Sequence, residues 1–285
     1  MTVSNRFALA IAAALLATPG LAACPDDAAI DQLAADMEAM TPATLAAVPE
    51  TVEDGQCAQD KLVERLSGTL GEPVGYKVGL TSQAVQERFG ASEPIHGRLF
   101  GPLLQNGASV PRFASRGLVE ADLIVRVKDD GINDATTPME VLEHITVVRP
   151  FIELADLVVA EGQPMTAPII SALNVGARTG VLGPKIEVEA SEEFLNSLAE
   201  MTVSMETVRK DETTEVMSGV PGRAILGHPL EAVLWLMNDG IKLEPNDLVS
   251  LGSLGAPIPA EPGQEVRVTY EGLGDEPIVV TTTLE

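Results

Sequence analysis

Positive charge is scarce in this chain, with 18 lysines and arginines against 42 aspartates and glutamates and a formal net charge of -24 at pH 7. Such a surface repels phosphate backbones and anionic membranes, so nucleic acid is excluded as a partner. An anionic small substrate then requires a local positive centre, either a bound cation or a buried lysine. Histidine is scarcer still: His96, His144 and His228 are scattered and form no i, i+4 pair of the kind that binds zinc on a helix. The chain contains no G-x-S-x-G elbow, no G-x-G-x-x-G and no G-x-x-x-x-G-K-[ST] loop, which removes serine-hydrolase and nucleotide-binding readings. It also lacks internal repeats, heptads and an apolar run of the roughly 20 residues that a membrane helix needs.

The 285 residues, 45% hydrophobic, suffice for one large core that needs no disulfide or metal to fold. Residues 1–23 carry Arg6, an apolar run from Phe7 to Leu16 and a Pro19-Gly20 breaker. This pattern predicts an export signal and a mature protein outside the cytoplasm, in the periplasm; a buried N-terminal helix is the alternative. The two cysteines, Cys24 and Cys57, then read as a disulfide tying down the N-terminal arm. "LAAC" equally resembles a lipobox, in which Cys24 would be lipidated and would anchor the chain.

Helical spacing over 28–40 and 59–70 predicts an N-terminal helical arm spanning 24–70, with a strand-rich body over 71–285. Alternating segments predict strands at 74–80, 119–127, 202–209, 215–217 and 265–270, with a hairpin turn at Arg209–Thr213. One further helix is expected from His228 to Gly240, with Pro229 in its first turn and Gly240 as its C-cap. Strands predominate and helices interrupt them irregularly, so the expected class is α+β and not doubly wound.

Two strands carry charge where apolar residues are expected. In "VGYKVGLTS", alternation places Gly75, Lys77 and Gly79 on one face, with the two glycines leaving space beside the ammonium. An edge-strand lysine reaching solvent would show the same pattern. In "GLVEADLIVRV", the odd-numbered residues form an apolar face, so Glu120 and Asp122 share the other, about 7 Å apart. Glu153 lies in "RPFIELADLVV" among apolar neighbours, where an unpaired charge is costly. Glu120, Asp122 and Glu153 together would make an all-oxygen site suited to magnesium or manganese; a solvated strand face plus a salt-bridged glutamate is the ordinary alternative.

The ordered stretches "GYKVGLTS", "FGASEPIHGRLF", "VEADLIVRV", "FIELAD", "ILGHPLEAVLWL" and "LVSLGSLGAPIPAEPGQEVRVTYEGLG" resemble the 2-keto-4-pentenoate hydratase branch of the fumarylacetoacetate hydrolase superfamily, from Gly71 to Gly274. The resemblance implies a mixed β-roll with peripheral helices, usually a homo-oligomer. It also implies a divalent cation, commonly Mg2+ or alternatively Mn2+, held at Glu120, Asp122 and Glu153, with Asp122 replacing a glutamate. Lys77 would face a small anionic 2-oxo acid, and the implied activity is hydration of a short unsaturated 2-oxo or 2-hydroxy acid. Hydrolysis or decarboxylation on the same platform, or binding without turnover, are the alternatives. The chain departs from the family at Ile95, which replaces an aspartate, and after Asn174, where Val175, Gly176 and Ala177 replace a serine-bearing stretch. His96 and Arg178 are candidate substitutes for those lost polar groups, and Asn174 and Ser253 are candidate substrate contacts.

Overall fold

The computed structural model describes residues 24–42, 45, 48–156 and 159–285. The expected export signal at 1–23 lies outside these residues. The chain begins with α1 (Asp27–Glu38) and α2 (Val52–Leu70), followed by β1 (Pro73–Gly79), α3 (Gln83–Phe89) and β2 (Ile95–Phe100). Next come β3 (Leu104–Gln105), β4 (Ser109–Val110), β5 (Gly117–Val127), α4 (Pro138–Glu143) and β6 (Ile145–Asp156). The middle of the chain holds α5 (Ala167–Ala172), a 3-10 turn at Asn174–Gly176, β7 (Ala177–Leu182), β8 (Ile186–Glu187) and α6 (Glu192–Glu200). It closes with β9 (Thr202–Arg209), β10 (Glu212–Pro221), α7 (Glu231–Asn238), β11 (Leu248–Ser250), β12 (Ile258–Pro259), β13 (Glu265–Glu271) and β14 (Ile278–Leu284).

Among the described residues the strands form two mixed sheets. The larger runs β2-β1-β11-β5-β6-β7-β3, with β12 beside β5 and β8 beside β6; the smaller runs β10-β9-β13-β14-β4. The order interleaves strands far apart in the chain, as in the expected α+β roll.

Alternation in β5 directs Val119, Ala121, Leu123, Val125 and Val127 into a single core with Val203, Met205, Val266, Val268 and Val280 of the smaller sheet. Each fully buried aliphatic side chain contributes about 1.5–3 kcal/mol, so this sandwich fixes which face of β5 looks inward. Tyr270 crosses the sandwich: its Oη lies 2.7 Å from the Asp122 carbonyl and 2.9 Å from the Phe151 carbonyl, donating to this pair. It therefore clamps β5 to β6 at the level of Asp122.

The arm is packed onto the body and not merely tethered to it. Ile30, Leu33, Met37, Leu62 and Leu66 bury against Phe100, Ile169 and Leu173. Helix α2 begins at Val52, seven residues before the expected start, because Thr51 and Asp54 form a capping box. Cys24 and Cys57 are joined by a disulfide, as one of the two sequence readings expected. Pro229 falls before α7 and not within its first turn, while Gly240, with φ 93°, follows the helix in the left-handed region. Among the described residues no helix is long and apolar enough to cross a membrane.

Candidate active site

Register brings the charged strand positions onto one face of the larger sheet. Lys77 is opposite Ser250 on β11 and Gly97 on β2, Ser250 is opposite Ile124 on β5, and Glu120 is opposite Glu153 on β6. Two residues back from Ile124 lies Asp122, on the same face. Lys77 is buried, 3% exposed, and donates to Glu153 Oε1 and to the Val175 carbonyl at 3.0 Å. The edge-lysine alternative is thereby excluded. An ammonium has three donors, so one N–H of Lys77 has no partner among the described residues. Burial disfavours its charge, but Glu153, Glu120 and Asp122 together outweigh burial and hold the ammonium above its ordinary range.

The flanking glycines do not leave open space, contrary to the sequence expectation. A side chain at Gly75 would strike the Leu248 backbone, and a Cβ at Gly79 would lie 2.6 Å from Val175 Cγ1. The glycines admit backbone and a neighbouring side chain from elements distant in sequence.

The three carboxylates are held differently. Asp122, fully buried, accepts from the backbone amides of Leu123 and Gly252 at Oδ1 and from the Ser250 hydroxyl at Oδ2. Its pKa is raised well above the ordinary value by burial and then by the charge of Glu153, against the opposing hydrogen bonds and Lys77. Glu120 accepts no hydrogen bond among the described residues. Burial pushes it up to about 7, Lys77 opposing and Glu153 reinforcing. Among the described residues, no three His, Cys, Asp or Glu side chains stand ready-made as a metal cage: Asp122 turns to Ser250 and Glu153 to Lys77. The donor chemistry nevertheless fits a hard divalent cation, since three carboxylates stand around one ammonium.

The remaining candidates have their side-chain partners outside the lysine–carboxylate cluster. His96 pairs with Val78 and so points to the opposite side of the sheet from Lys77. Its Nε2 lies 3.3 Å from Asp239 Oδ2 and 3.1 Å from Gln56 Nε2, between Tyr76 and Trp235. Arg178 donates to the carbonyls of Met37 at 2.6 Å and Phe113 at 3.1 Å, fastening α1 to the body. Asn174 clasps the backbone of Arg98 through both its amide atoms. The Ser253 hydroxyl donates to the Gly255 carbonyl, in the loop after β11. Ile95 is buried on the same face as Lys77. Ser250 and Tyr270, both touching Asp122, were not foreseen; a serine in register with Lys77 is visible only once β11 is placed beside β1.

No protein-family model matches the chain. It is 31% identical over 209 residues to "2-keto-4-pentenoate hydratase 2" of Dechloromonas aromatica (strain RCB), covering 71% of this chain and 76% of that one. Over 234 residues it is 28% identical to "2-hydroxyhexa-2,4-dienoate hydratase" of Comamonas testosteroni, covering 79% and 84%. Its fold matches the solved 4-oxalocrotonate decarboxylase from Pseudomonas putida G7, complexed with magnesium and adipate, at TM-score 0.74 and 24% identity over 91% of this chain and 97% of that one. Fumarylpyruvate hydrolase from Pseudomonas aeruginosa, in complex with Mn2+ and pyruvate, matches at TM-score 0.51 and 17% identity, covering 74% and 89%. The mixed roll is thus the fold of these solved enzymes. Within it, the chain belongs to the 2-keto-4-pentenoate hydratase family.

Proposed function

We propose that this protein is an exported, divalent-cation-dependent hydratase that adds water to a short unsaturated 2-oxo or 2-hydroxy acid. The observation that carries this reading is the buried Lys77 ammonium, with one N–H unpartnered among the described residues, set among Glu120, Asp122 and Glu153. The names of the hydratase relatives support hydration over hydrolysis, decarboxylation or binding alone. Magnesium and Mn2+ in the solved fold neighbours support a divalent cation.

Glu120, Asp122 and Glu153 would hold the cation, which supplies positive charge for the substrate carboxylate and carbonyl and polarises the latter. Lys77 binds and orients the acid by giving its free N–H to the oxygen that gains charge as the 2-oxo acid enolises. A fixed donor in a dry site stabilises that charge more than water does. Held by Glu153 and the Val175 carbonyl, Lys77 serves as a fixed electrostatic donor. Ile95 excludes water on the same face. The disulfide between Cys24 and Cys57 supports export, since such bonds persist in oxidising compartments.

The test is to follow the ultraviolet band of 2-hydroxypenta-2,4-dienoate with Mg2+ or Mn2+ present. Wild type should consume it, and Lys77→Ala and Glu153→Ala should each slow consumption by about 10²–10³-fold. Binding of oxalate without turnover of any 2-oxo acid would leave a binding protein instead.

A further inference from the structure

We propose that Ser250 is a positioning residue for the cation-holding carboxylates, acting through Asp122. This rests on the reading of Glu120, Asp122 and Glu153 as the cation site. An ionised carboxylate offers about four acceptor positions. The Leu123 and Gly252 amides take two on Oδ1 of Asp122, and the Ser250 hydroxyl takes one on Oδ2. A single position on Oδ2 remains, and Ser250 decides where it points. Glu120, two residues back on the same face, has no such brace, so the carboxylate pair is divided into a fixed member and an adjustable one.

The brace is built from several parts of the chain. Ser250 stands in register between Lys77 on β1 and Ile124 on β5, which puts its hydroxyl on the lysine–carboxylate face. Gly252 can present its amide because its φ of 113° suits glycine, and because a Cβ there would crowd the Thr81 side chain. Tyr270 holds the Asp122 carbonyl from the other side of the sheet. With main chain and side chain both fixed, Asp122 can present its last oxygen position without reorganising when a cation arrives.

The experiment titrates the full protein with Mn2+ by calorimetry. Ser250→Ala should weaken binding by about tenfold, Ser250→Thr should restore most of it, and Ser250→Ala in an Asp122→Asn background should weaken it no further. If Ser250→Ala does not fold, the near-isosteric Ser250→Cys is measured in its place. Unchanged Mn2+ affinity in Ser250→Ala overturns the inference, and so does an equal loss in the Asp122→Asn background, which would mark a general packing role. If wild type itself binds no Mn2+, the proposed cation site fails and this inference with it, a result distinct from binding that ignores Ser250.

Discussion

At the scale of single residues, burial makes Lys77 and Asp122 depend on named partners. Lys77 is tolerated inside a sheet because Glu153 and the Val175 carbonyl accept from it; removing the ammonium would leave Glu153 buried and unpaired, a loss of about 3–5 kcal/mol. His96 is the opposite case. Burial lowers its pKa, with Arg98 adding to this and Asp239 and Asp60 opposing. The folded chain therefore resists the proton that the unfolded chain accepts near pH 6.5, and stability is lost as pH falls through that value toward the lower folded pKa. Thermal melts at pH 7.5 and 5.5 should show a larger drop for wild type than for His96→Gln; equal drops would mean that this imidazole does not feel its burial.

At the scale of elements, the site depends on a close approach that only glycine allows. A Cβ at Gly97 on β2 would lie 2.7 Å from the Asn174 carbonyl and 2.9 Å from its Oδ1. Backbone cannot yield there without moving the Asn174–Gly176 turn, which also presents the Val175 carbonyl to Lys77. Both Asn174 and Val175 have positive φ, 54° and 51°, so the turn is held in place by its contacts and not by its own preference. Gly97→Ala should destabilise the protein by about 1–3 kcal/mol in urea titration and lower turnover along with stability, while Gly68→Ala in α2, with nothing near its Cβ position and no positive φ, should leave turnover unchanged. Alternation was enough to read β1 and β5 from sequence, because both have one apolar and one mixed face. The 12-residue β6 was harder to read, since nearly all of it is buried on both faces and its residues alternate little.

At the scale of the whole molecule, the disulfide closes a span of 33 residues and, within the arm, ties the segment ahead of α1 to α2. Chain entropy assigns such a link about 3–4 kcal/mol. The Cys24→Ser, Cys57→Ser double variant, or wild type under dithiothreitol, should unfold at lower urea, and limited proteolysis should release the segment ahead of Val52 first. A fully buried Gln59, donating to the His96 and Ser171 carbonyls, should keep α2 docked even then. Loss of α2 along with α1 would show the disulfide to be the main tie. Mass spectrometry of the purified protein separates a disulfide at Cys24 from a lipid there.

The period of two along a strand belongs to the chain itself, and so the sequence alone determined that Lys77 opposes its apolar neighbours and that Glu120 and Asp122 share a face. The α+β class, the helical arm and the family motifs were legible for the same reason: they are local patterns. Only the tertiary structure decided that Glu153 stands across from Glu120, that Ser250 braces Asp122 from 128 residues away, and that Val175 fills the space beside Gly79. It likewise turned His96 to the far side of the sheet and gave Arg178 to the arm. Those outcomes depend on the order in which distant strands pair and on which side chains fill the gaps between them, and neither is encoded in the spacing of residues along one segment.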